Sequence, residues 1–331
     1  DGAAGGLGHG DLPSPTPRRT KRRIVLFMPT GRSDYIARVQ RVQDYVERHL
    51  AEPLTLPRLA GVAHFSPFHF HRIFAALVGE TPSAYVRRIR LEKAASMLQH
   101  NEDLGITEVA LDCGWQETSS FSRAFRRHFG VPATEWRKKC QANRNDGQVV
   151  GASDAVSWRG KEGAMTTQPL TPTSAEVEDR AAFTVAYVRH TGPYAGDASL
   201  FEGLFGKLMG WLGARGLMGP QTRTFTIYHD NPEVTDEEHR RISVCATVPA
   251  DTPVGGEIGR LEFPAGACLV ARFALKPTQY GDAWQWVYGQ WLPESAYEPD
   301  DRFAYEEYLS MPEADGTHHV AVVVPVRPRR D

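Results

Sequence analysis

The chain has 331 residues, 41% hydrophobic and 24% charged, enough for two domains of ordinary size with a core in each. No apolar run approaches ~20 residues, which excludes a membrane-spanning helix. Four scattered cysteines without a CxxC pair argue against a zinc site and for a reducing compartment, so a soluble cytoplasmic protein is expected. The formal net charge of -2 conceals an asymmetry: residues 1–33 carry +4, 34–146 carry +3 and 164–331 carry -9. Such a division is expected when one domain faces phosphate and the other does not, although acidic surfaces also serve solubility alone.

Residues 1–33 are rich in Gly, Pro and Arg without hydrophobic period and read as a disordered extension, with Met28 expected as the native start. A helix follows from Ser33 or Asp34, with Ile36, Val39, Val42, Val46 and Leu50 as its stripe and Pro53 closing it. Thr55 is expected to cap a short helix (Leu56, Leu59, Ala60, Ala63). Ser66, with Pro67 at the first helical position, caps a second, whose buried stripe is Phe70, Ile73, Phe74 and Leu77. Phe68, His69, His71 and Arg72 are left outside; the two histidines stand at i and i+2 and do not converge on a metal. Gly114 then stops the helix before it, and Gln116, Glu117, Thr118, Ser119 and Ser122 supply short polar side chains ahead of another apolar stripe, Phe121, Ala124, Phe125 and Phe129. Arg123, Arg126 and Arg127 share the exposed side. Polar tips at a helix start with guanidinium groups further along suit a DNA major groove, although a solvated amphipathic helix reads the same way in isolation.

The same order of parts, short helix, tight break, second helix, occurs twice within about 110 residues, which is far more specific than either copy alone. RIRLEKAASML at 88–98, ITEVALDCGW at 106–115, FSRAFRRHFGVPATEWRK at 121–138 and the copy at 56–79 resemble the AraC/XylS family of transcription regulators, over about 35–139. The resemblance implies seven helices, with two helix-turn-helix units joined by a long helix at about 82–99, reading successive major grooves ~34 Å apart on double-stranded DNA. By position in the family motif, Phe68, His71 and Arg72 face DNA in the first unit and Thr118, Ser119, Ser122 and Arg123 in the second.

Residues 143–168 carry Gly, Ser and Thr with few apolar groups and read as a linker between a DNA-binding domain at 34–142 and a second domain at 169–328. In the second domain strands are expected over 183–190, 225–228, 242–248, 267–275, 303–309 and 320–326. Helices are expected along Leu200, Leu204, Leu208 and Leu212 and over 283–291. HTGPYAGD set against KPTQYGD suggests an internal duplication, pairing Tyr194 with Tyr280 and Asp197 with Asp282 as helix caps. The expected architecture is an α+β pseudo-two-fold sandwich with a groove between its halves.

VAYVRHTGPY, GRLEFPAGACLVARF, WQWVYGQWLPES and AYEEYL resemble the GyrI-like effector-binding domain, found behind AraC-type modules in Rob-like regulators. The resemblance implies a groove that binds small molecules, often cationic and aromatic, with a strand glutamate as counter-ion; the matching position is Glu306. On a strand over 303–309, Phe303, Tyr305, Glu307 and Leu309 form the more apolar face and are expected to pack under helices. Glu306 and Tyr308 then face the groove with some of Tyr228, Trp286 and Tyr288. Each aromatic contact to a cation adds ~0.5–2 kcal/mol. The alternative keeps Glu306 as a solvated edge charge and the aromatics as core. Together these readings describe a regulator with DNA, RNA polymerase and a small-molecule effector as partners, as a monomer or weak dimer, with no cofactor, metal or catalytic residue. The competing function is a small-molecule hydrolase or drug-sequestering protein built on Glu306 and Glu307.

Overall fold

The structure, a computed structural model, describes residues 2, 32–101, 103–145, 170–232, 234–300 and 302–329. The extension with Met28 and most of the linker lie outside the described residues, while 143–145 still belong to a helix. Among the described residues no helix is long and apolar enough to cross a membrane.

Among the described residues of the first half there are seven helices: α1 (Arg32–Arg48), α2 (Leu56–Val62), α3 (Pro67–Val78), α4 (Pro82–His100), α5 (Ile106–Asp112), α6 (Thr118–Phe129) and α7 (Ala133–Asn145). Burial of Val39, Val42, Val46 and Leu50 seats α1 against the α2–α3 pair. Ser66 caps α3 by accepting from the His69 amide at 3.4 Å. Thr55 stands at the N-cap of α2 but makes no side-chain cap bond, and none of the polar side chains before α6 caps it. Helix α4 is buried on several faces. Tyr85, Val86 and Ile89 pack with the first pair, and Leu91, Ala94, Ala95 and Leu98 with the second.

Among the described residues the second half is one antiparallel sheet of nine strands: β1 (Ser174–Arg180), β2 (Phe183–Thr191), β3 (Thr224–Tyr228), β4 (Arg241–Val248), β5 (Ile258–Phe263), β6 (Gly266–Leu275), β7 (Tyr297–Pro299), β8 (Tyr305–Tyr308) and β9 (His318–Pro328). The order is β1-β6-β9-β8-β3-β4-β2-β5, with β7 added beside β9. Helix α8 (Ala198–Gly213) lies on one face over β2 and β4, burying Leu204, Leu208 and Leu212. Helix α9 (Tyr280–Trp286) covers β6 and β9 on the same face and continues as a π-helical turn (Val287–Trp291), where a regular helix over 283–291 was expected. Asp197 caps α8, accepting from the Leu200 amide at 2.9 Å. Asp282 does not cap α9; it sits inside the first turn, and Gln279 holds the N-cap.

The β8 expectation needs one correction. Tyr305 and Glu307 lie on the face away from α8 and α9, where Tyr305 joins Phe183, Phe225 and Phe263 in an aromatic cluster. The helix-facing set is Glu306 and Tyr308. A tyrosine ring packs as well under α9 as in the aromatic cluster on the opposite face of the sheet, so apolarity alone did not choose the face.

Candidate nucleic-acid interface and ligand groove

Helices α2 and α5 have seven residues each and bury their fourth and fifth, Leu59 and Ala60 in one, Val109 and Ala110 in the other. Two residues past each helix the chain turns through positive φ, at His64 (54°) and Gly114 (78°). Helices α3 and α6 have twelve residues each. Both bury Phe at the fourth and eighth positions, Phe70 and Phe74 against Phe121 and Phe125, with ring centroids 5.4 Å apart in each pair. Both end on a left-handed glycine, Gly79 and Gly130.

The exposed faces of these helices match as well. Arg72 and Arg123 each stand sixth and are exposed. The Arg72 guanidinium lies 5.3 Å from the centroid of Phe68, an aromatic ring left 65% exposed at a cost that water contact does not offset. His71, Ser119 and Ser122 are exposed and Thr118 is half-buried. Arg123 donates to Ser120 Oγ at 3.4 Å, and Ser120 donates to Glu117 at 3.2 Å. Seven candidate DNA-facing residues therefore lie on two matched helices, and the sheet domain covers neither face.

In the second half Glu306 lies between the sheet and α9, 1% exposed. Its Oε2 accepts from the Tyr228 hydroxyl at 2.9 Å and its Oε1 from the Trp284 indole N–H at 2.5 Å. Among the described residues no cationic side chain pairs with it. Burial pushes its pKa from 4.5 up to about 7, and the two hydrogen bonds only partly oppose the rise. Tyr308 shares a hydrogen bond with Thr226 at 2.9 Å and meets Phe205 of α8 edge-on. Tyr194 packs on Tyr228 at 5.9 Å. Tyr228 and Tyr308 are thus brought to Glu306. Tyr288 is one ring removed, stacked on Trp284 at 6.0 Å. Trp286 is not brought there; it packs edge-on against Phe273.

Residues 173–327 match the GyrI-like small molecule binding domain and residues 59–139 match a helix-turn-helix domain. The chain joins an AraC-type helix-turn-helix domain to a GyrI-like domain. The probable transcriptional regulator LumQ of Photobacterium leiognathi is 33% identical over 96 residues, 29% of this chain and 38% of LumQ. The HTH-type transcriptional activator RhaS of Escherichia fergusonii is 34% identical over 102 residues, 31% of this chain and 36% of RhaS. The chain therefore spans less than half the length of these curated relatives. A transcriptional regulator from Chromobacterium violaceum with an AraC-type DNA-binding domain aligns at 27% identity and TM-score 0.30, over 31% of this chain and 91% of its own.

Within the GyrI-like domain the sequence argument missed Trp284, the closer of the two donors to Glu306. WQWVYGQW places three tryptophans on one short helix, and only the turn at which α9 meets β8 decides which of them reaches the carboxylate. Glu306 and Glu307 point to opposite faces. Glu307 is held by Arg180 at 3.2 Å and Arg223 at 3.3 Å, so the two carboxylates cannot address one substrate atom.

Proposed function

We propose that this chain is a transcription regulator that reads DNA through two helix-turn-helix units and binds a small aromatic cation against Glu306. Support for the DNA part comes from the matched pairs α2–α3 and α5–α6: both bury apolar residues at the fourth and fifth positions of the short helix and Phe at the fourth and eighth of the long one, and both expose an arginine at its sixth. Helices α3 and α6 act as recognition helices in successive major grooves, with Arg72 and Arg123 at guanine or phosphate and Phe68, His71, Thr118, Ser119 and Ser122 beside them. Support for the duplicated sandwich comes from the order β2-α8-β3-β4, repeated as β6-α9-β8-β9 with the three-residue β7 inserted before β8.

The ligand part rests on one observation. Glu306 is buried with only neutral donors, and aromatic rings surround it. A carboxylate so placed destabilises the empty protein when ionised. An organic cation removes that cost and gains ring contacts of ~0.5–2 kcal/mol each. The hydrolase alternative has no geometric support, because Glu307 is engaged on the opposite face.

The test is a duplex selected by the protein from a random pool, titrated against scrambled duplex over a salt series with and without a panel of aromatic cations. Preference for the selected duplex, modulated by one cation, supports both parts. Equal affinity for both duplexes at every salt concentration refutes sequence reading.

A further inference from the structure

The two halves meet through a buried polar interface on the outer part of β2 and β4. Asp44 of α1 accepts from the Tyr187 hydroxyl at 2.6 Å and pairs with Arg189 at 2.8 Å. Glu47, one turn on, pairs with Arg241, which also donates to the Tyr85 hydroxyl of α4 at 2.7 Å and pairs with Asp230. His229 lies within 3.5 Å of Glu47. Arg189 can only donate to His229 Nε2 at 3.2 Å, so the ring proton stands on Nδ1, toward Glu47. Burial and the neighbouring Arg189 keep His229 below its ordinary pKa, hence neutral. Burial alone would raise Glu47, but the guanidinium groups of Arg241 and Arg189 hold it well below the carboxylate range. Every charged side chain in this set is less than a tenth exposed.

The loop that follows β3 extends the interface along α4. Asn231 donates to Gln99 at 3.2 Å, and Val234 packs into the core formed by α4, α5 and α6. Through Arg241, Asn231 and Val234 the sheet domain therefore touches α1 at Glu47, α4 at Tyr85 and Gln99, and the core shared by α4, α5 and α6. This contact leaves Phe68, His71, Arg72, Ser119, Ser122 and Arg123 exposed, so it does not act by covering the DNA face.

We propose that this interface is a clamp that couples ligand occupancy at Glu306 to the relative setting of the two recognition helices. The inference rests on the ligand reading above and adds its route. Tyr228, whose hydroxyl donates to Glu306, is followed directly by His229 and Asp230, which hold the clamp. The second donor, Trp284, stacks on Tyr288, and Tyr288 lies 5.6 Å from His100 at the end of α4. Tyr288 stands in the π-helical turn, a register that can relax to α and that is often found at functional sites. A cation reaching Glu306 must displace or share one of these donors. Both routes end on α4, one at its first turn and one at its last, and α4 joins the two units. The clamp suits a two-state element, because losing one partner strands a buried charge; the set stays closed or opens together.

Linkage permits a test that needs no ligand: if the groove and the DNA face are coupled, specific DNA must perturb the groove. The full chain is labelled at indole nitrogens, and the Trp284 signal is assigned by its loss in Trp284→Phe. Selected duplex is expected to move that signal and scrambled duplex is not. In Asp44→Asn/Glu47→Gln the duplex still binds but the signal stays; Val234→Ala, which leaves every charge in place, reduces the movement. A cation that binds wild type changes its duplex affinity ~5–150-fold, and less than about twofold in the double variant. No movement in wild type, or equal movement in both variants, overturns the clamp. If the double variant fails to fold, Val234→Ala and Tyr85→Phe decide the outcome by the same readout. Cations that bind at Glu306 while duplex leaves Trp284 unmoved overturn the clamp alone. Movement of Trp284 by duplex with no cation bound at any concentration overturns the ligand reading alone.

Discussion

The buried carboxylate of Glu306 links both stability and ligand affinity to pH. Its pKa rises from 4.5 to about 7, chiefly through burial, against the hydrogen bonds from Trp284 and Tyr228. In that window the folded chain holds a proton that the unfolded chain has released, so stability is full below about 4.5 and falls as pH rises to about 7. The whole displacement is worth roughly 3 kcal/mol. Glu306→Gln is neutral throughout, so its stability relative to wild type should improve by about 2–3 kcal/mol between about pH 5 and about pH 8. This double difference cancels whatever the amide loses in hydrogen bonding, and urea unfolding at the two pH values measures it. Ligand affinity runs the other way. A cation requires the ionised form, so its Kd should rise about tenfold per pH unit below 7 and level off above it. Calorimetry with an aromatic cation against wild type and Glu306→Gln reads this directly. A Kd that stays flat from about pH 5 to about pH 8, or a Glu306→Gln variant that binds as tightly, refutes the counter-ion role.

Arg72→Ala and Arg123→Ala should each weaken specific duplex binding by ~1–3 kcal/mol where the contact is to guanine; at a phosphate each should instead lower the salt slope by about one. Titrations at several salt concentrations separate the two, and an equal loss of cation binding would show these are folding residues. Gly114→Ala should be far worse than Gly130→Ala in thermal unfolding. Both glycines have positive φ, worth ~1–2 kcal/mol, but a Cβ at Gly114 would meet the Leu50 carbonyl at 2.1 Å while one at Gly130 meets nothing within 4 Å. Similar melting of the two variants would contradict the close approach of the chain just past α1, at Leu50, to this turn. Phe121→Ala and Phe70→Ala should each cost about 3–5 kcal/mol in chemical denaturation, since both rings are fully buried at the same position of matched helices.

The elements that the sequence revealed are those whose burial is one-sided and periodic. Helices α3 and α6 announce themselves through Phe at matched spacing, and α8 through its leucines. The strands that escaped notice are β1 and β5, at the two ends of the sheet, and the three-residue β7. SAEVEDR has only Ala175 and Val177 to pair with a core, because an edge strand protects itself with charge rather than apolar alternation. The clamp was equally hidden. Asp44 and Glu47 look like solvated charges on an amphipathic helix, and Arg189 and Arg241 like ordinary polar positions on strands. Only their meeting across some 145 to 194 residues of chain gives them a common environment.

Neighbouring glutamates on β8 show what such environments decide. Glu306 and Glu307 have the same chemistry and nearly the same burial, 1% and 5% exposed. On the far face Glu307 is enclosed by two guanidinium groups, Arg180 and Arg223, which compensate its charge within the protein. On the helix face Glu306 receives an indole and a phenol, which satisfy its lone pairs but leave the charge itself unbalanced. A fold that can place two arginines beside one carboxylate had the means to neutralise the other. Leaving Glu306 uncompensated among rings makes its ionisation costly; below about pH 7 a proton relieves that cost, and above it the cation proposed here would do so.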